Sequence, residues 1–90
     1  MFKSPYPDVE IPNISIYDYL FTGQSDHELD TIALIDGTTG AETTYRALIA
    51  QINGVAGALA ARGVDEDTVV ALLCPNVPAF ASVFHGILRA

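Results

Sequence analysis

Positive charge is scarce in this sequence. Lys3, Arg46, Arg62 and Arg89 stand against eleven acidic side chains, for a net charge of −7 at pH 7. No basic stripe or cluster is present, which argues against binding nucleic acid through its phosphates. The acidic balance also opposes docking on anionic lipid. Cysteine is reduced to Cys74; no internal disulfide can form, and a reducing compartment is the natural setting. The first ten residues, MFKSPYPDVE, carry no apolar core of a signal peptide, and no segment is suited to spanning a bilayer. The expected location is cytoplasmic.

Arrangements that carry chemistry are missing as well. There is no Gly-x-Ser-x-Gly elbow, no Cys-x-x-Cys pair and no acidic loop with the spacing of a calcium site. What is abundant is apolar surface: half the residues are hydrophobic and 17% are charged, against about 25% in ordinary globular domains. A chain of 90 residues is near the size at which one core barely sustains itself. So apolar a composition at that size fits a piece whose faces are completed by other chain, or a small protein that associates with itself.

Pro5, Pro7 and Pro12 make residues 1–13 an extended arm. Asn13 or Ser15 caps a short helix through Ile16, Tyr17, Tyr19, Leu20 and Phe21, ending near Gly23. Residues 24–30 read as a polar loop. Residues 31–36 (TIALID) and 41–45 (AETTY) are strands joined by Gly37-Thr-Thr-Gly40 into a β-hairpin. A helix over 45–62 follows, with Leu48, Ile52, Val55 and Leu59 on one face, widened by Ile49, Ala56 and Ala60. Thr44 is its expected N-cap, and Gly63 its left-handed terminator. Gly54 and Gly57 each weaken it by roughly 1 kcal/mol relative to Ala, a cost worth bearing where something packs closely.

The run VVALLC at 69–74 is unbroken and apolar, the pattern of a strand covered on both faces in a parallel sheet. Pro75-Asn76 breaks it. Phe80, Val83, Phe84, Ile87 and Leu88 then recur as one apolar stripe of a final helix. The order is β-β-α-β-α, an α/β arrangement in which the crossover helix implies parallel pairing of right-handed connection.

Each candidate for chemistry has a plainer reading. Gly37–Gly40 has the letters of a phosphate cradle, but such a loop needs a Lys where a helix begins. Here Ala41, Glu42, Thr43 and Thr44 follow and continue into a strand, so a hairpin turn is the better reading. Cys74 stands where a helix start activates thiolates, yet without a partner it reads as a buried structural thiol. His85 reads as a packed or interface histidine. His27 lies between Asp26 and Glu28 without two further convergent ligands. Asp65-Glu-Asp67 and the acids around His27 read as solvated turns. No residue is assigned a catalytic, cofactor-binding or metal-ligating role.

Three segments together resemble the N-terminal part of the adenylate-forming acyl-CoA synthetases, in their 4-coumarate–CoA ligase-like branch. They are Phe2-Lys-Ser-Pro-Tyr-Pro-Asp-Val-Glu-Ile-Pro-Asn13 with Ser15-Ile-Tyr-Asp-Tyr-Leu-Phe21; Ala33-Leu-Ile-Asp-Gly37 with Thr44-Tyr45 and Leu48; and Gly57-Ala-Leu-Ala-Ala-Arg-Gly-Val64 with Val69-Val-Ala-Leu-Leu-Cys-Pro-Asn76 and Gly86-Ile-Leu-Arg-Ala90. The likeness runs nearly end to end. Ala47 and Ala79 depart from it, because relatives commonly carry Glu there, leaving the capping boxes that start at Thr44 and Asn76 half complete.

The resemblance implies an ATP-dependent acid–CoA ligase: a carboxylic acid and ATP give an acyl-adenylate and pyrophosphate, and the CoA thiol then displaces AMP. ATP, Mg²⁺ and CoA are the implied cofactors, in fatty-acid or phenylpropanoid metabolism. The family's phosphate loop, which ends in Pro-Lys-Gly, its acid pocket and its mobile lysine lie downstream of this segment. The expectation is therefore residues 1–90 as scaffold, part of a layered α/β N-terminal domain ahead of that loop, with no catalysis of its own. Its expected partner is the remainder of the ligase chain, or a second copy through exposed apolar faces. A free-standing α/β interaction module is the alternative, and a redox protein using Cys74 a more distant third.

Overall fold

A computed structural model describes residues 4–90. The part of the arm that falls on residues 1–3 lies outside the described residues; residues 4–15 contain no helix or strand and are exposed. The first helix, α1, is Ile16–Phe21, and Ser15 rather than Asn13 is its N-cap, accepting the Asp18 N–H at 3.1 Å. The stretch expected as a polar loop contains a helical turn, α2, at Asp26–Leu29. Ser25 accepts the Glu28 N–H at 3.2 Å, which is half of a Ser-x-x-Glu capping box. That pattern was present in the sequence and is strong enough to close one turn.

The hairpin forms as expected. Strands β1 (Ile32–Ile35) and β2 (Glu42–Thr44) pair antiparallel, Ile32 with Thr44, Leu34 with Thr43 and Ile35 with Glu42. An irregularity between Ile32 and Leu34 bends the ribbon in the manner of a bulge. Helix α3, Tyr45–Ala61, starts directly from β2 with Thr44 as N-cap, whose hydroxyl accepts the Ala47 N–H at 3.2 Å. At its end Gly63 has φ +89°. The Gly63 N–H reaches Ala60 O and the Val64 N–H reaches Leu59 O, the paired closure of a Schellman motif. The last helix, α4, is Ala79–Arg89.

Two expectations are corrected here. Residues 69–74 run without regular secondary structure, and the described sheet has two antiparallel strands and no parallel pair. The backbone alternates all the same: Val70, Leu72 and Cys74 are half-buried, while Val69 and Leu73 are 96% and 102% exposed. A strand is defined by its partner's hydrogen bonds, and here none of the described segments lies alongside to supply them. The chain is also open, with a radius of gyration of 16.0 Å against about 12 Å for a compact domain of this length. The second correction concerns α4. Pro78, not Asn76, is its N-cap and makes no side-chain capping bond.

The core is small: Tyr17, Leu48, Ile52 and Ala56, with Phe21, Ala33, Leu34, Ile49 and Ala81 packed around it. Helix α4 meets α3 through Ser82 and Gly86, its two buried residues. The apolar stripe is turned away from that contact, leaving Phe80, Phe84 and Leu88 about 40% exposed. A Cβ added at Gly86 would lie 2.5 Å from Val55 Cγ1 and 2.6 Å from Val55 Cβ, so glycine is what lets the helices approach. Gly54 and Gly57, by contrast, meet nothing within 4 Å; the close packing sits on the other helix.

Gly86→Ala should therefore destabilise the chain by about 1–3 kcal/mol, the usual cost of overpacking. Gly57→Ala should stabilise it by up to about 1 kcal/mol through helix propensity alone. Urea denaturation followed by far-UV circular dichroism reads both. Equal and negligible effects would show that the α3–α4 contact is not made at Gly86.

Candidate functional site

An open cleft of about 640 Å³ lies between the hairpin turn and the start of α4. Leu34, Ile35, Val77, Pro78 and Phe80 supply its apolar lining, and Asp36 and Asn76 are among its polar residues. The turn has the letters of a phosphate loop but a different hydrogen-bond plan. Asp36 Oδ1 accepts the N–H groups of Thr38 at 2.8 Å and Thr39 at 3.2 Å. Thr39 Oγ1 accepts the Ala41 N–H at 3.2 Å, and the Gly40 N–H reaches Asp36 O at 2.8 Å, with Gly40 at φ +76°. The amides that would hold an anion are occupied, and the group occupying two of them is itself a carboxylate. The turn does not fit a triphosphate, and no step through ATP can be built on it.

The other singled-out residues are dispersed. Cys74 is half-buried rather than buried, and its thiol donates to the Pro75 carbonyl at 3.2 Å. His85 packs edge-on against Phe21 and Phe84, with ring centroids 4.9 and 5.1 Å away. Its Nδ1 is buried without a hydrogen-bond partner. His27 is exposed on α2. Its acidic neighbours serve an ion pair: Arg46 donates Nε–H to Asp30 at 3.0 Å, and its terminal nitrogen lies 3.5 Å from Asp26. The hydrogen bond and charge of Asp30 raise the guanidinium pKa further above its ordinary value. The pair links α2 to α3, but solvent screens so exposed a contact and it adds little to stability. The acids at 65–67 close a local turn in which Asp65 Oδ1 accepts the Asp67 N–H at 3.0 Å and the Thr68 hydroxyl at 3.1 Å.

One polar arrangement escaped the sequence reading. The Arg89 guanidinium carbon lies 3.9 Å from the centre of the Tyr17 ring, and its Nε–H donates to Asn53 Oδ1 at 2.8 Å. A single side chain thus ties α4 to α1 and α3. The Ser82 hydroxyl adds a second tie by donating to Gln51 Oε1. These bonds position helices; they do not pair a nucleophile with a base. Among the described residues no group of three His, Cys, Asp or Glu side chains is placed to hold a metal ion, and no helix is long and apolar enough to cross a membrane.

Removing the Asp36 carboxylate separates the two readings of the turn. Asp36→Ala should lower stability by about 0.5–2 kcal/mol, the range for a lost side-chain cap. Titration calorimetry with Mg-ATP should stay flat for both proteins. Saturable binding that Asp36→Ala strengthens would restore the turn as an anion site.

The AMP-binding enzyme family model matches residues 21–90. The chain is 36% identical to 4-coumarate–CoA ligase 4 of Arabidopsis thaliana over 97% of its own length, and 36% identical to 4-coumarate–CoA ligase 5 of rice over 99%. It is 30% identical over 97% to a probable 4-coumarate–CoA ligase 3 of Dictyostelium discoideum. In each case it spans 16% of the relative's length. No solved structure matches it. With a family match over most of its length and collinear likeness to ligases from plants and an amoeba, the chain belongs to the AMP-binding enzyme family.

Proposed function

We propose that this chain is a scaffold segment of an ATP-dependent acid–CoA ligase, without catalysis of its own. The parent reaction joins a carboxylic acid to ATP, releasing pyrophosphate, and the CoA thiol then displaces AMP from the acyl-adenylate. ATP, Mg²⁺ and CoA would be held by parts of the ligase outside these residues, in a cytoplasmic setting. The observation that carries the reading is the pairing of collinear ligase likeness with an uncovered apolar surface. Residues 69–74 have the alternating exposure of a strand without a neighbour, and the α4 stripe beside them is half open.

In the completed domain, further ligase chain would pair with residues 69–74 in parallel and cover α4, making the layered α/β structure. Fully burying the five stripe residues is worth about 1.5–3 kcal/mol each, or about 7–15 kcal/mol together as an upper bound. Whole-domain stability is only about 5–15 kcal/mol. Val83 and Ile87 are already half-buried and Phe80, Phe84 and Leu88 are about 40% exposed, so a cover would add the remaining part of that sum. That cover is the remainder of the ligase or, for the isolated chain, a second copy.

The isolated chain should therefore associate at micromolar concentration in light scattering. Leu73→Lys combined with Phe84→Lys should shift it toward monomer. A monodisperse, cooperatively melting monomer would count for a free-standing interaction module instead. The purified chain should also show no ATP–pyrophosphate exchange with any carboxylic acid. Exchange that a point substitution within residues 4–90 abolishes would overturn the scaffold reading.

A further inference from the structure

We draw no further inference here: the strongest candidate, the unpaired extended segment 69–74 with the half-open Phe80, Phe84 and Leu88 face of α4, belongs to the completion already proposed, and nothing in the structure shows a second occupant for it.

Discussion

The contact between Gly86 and Val55 is the constraint on which the rest of this structure depends. Two helices can approach this closely only where one of them has no side chain, and α4 offers that position on its narrow face of Ser82 and Gly86. Once that face is committed to α3, the orientation of α4 follows. The large residues Phe80, Phe84 and Leu88 must point elsewhere, and Arg89 swings over Tyr17 to bring α1 into the assembly. The small core of Tyr17, Leu48 and Ile52 forms beneath this three-helix junction.

The hairpin is built on a different principle. Its geometry is settled within a few residues, by Asp36 gathering the amides of Thr38 and Thr39 and by Gly40 accepting a left-handed conformation. Its second strand runs straight into α3, where Thr44 ends the ribbon and caps the helix. That economy leaves no linker between sheet and helix.

Local chemistry was legible in the sequence. The cap at Thr44, the Gly63 terminator and the hairpin were readable because each is decided by neighbours in the chain, and the first cap was narrowed to Asn13 or Ser15. Two features were not, for physical reasons. Apolar periodicity identified a stripe on α4 but not which face would meet α3, because close approach selects the smallest residues rather than the most hydrophobic. The run at 69–74 read as a parallel strand, yet strand pairing is a property of two segments and none of the described segments pairs with it. The turn at Gly37–Gly40 was legible as a turn, because no Lys follows its phosphate-loop letters and a strand does; what the sequence did not show is that Asp36 gathers its amides. Arg89 carried no local signal, since its partners Tyr17 and Asn53 lie far away in sequence.

The exposed run at 69–74 has a consequence for how such a polypeptide comes to maturity. A six-residue apolar segment that pairs with none of the described strands is a template for any extended chain that reaches it. In the completion proposed above its neighbour would have to arrive before a stranger does, and parallel pairing across a helical crossover is slow to close. Substitutions near residues 69–74 would then act on yield, by altering how often newly made molecules are lost to clumping.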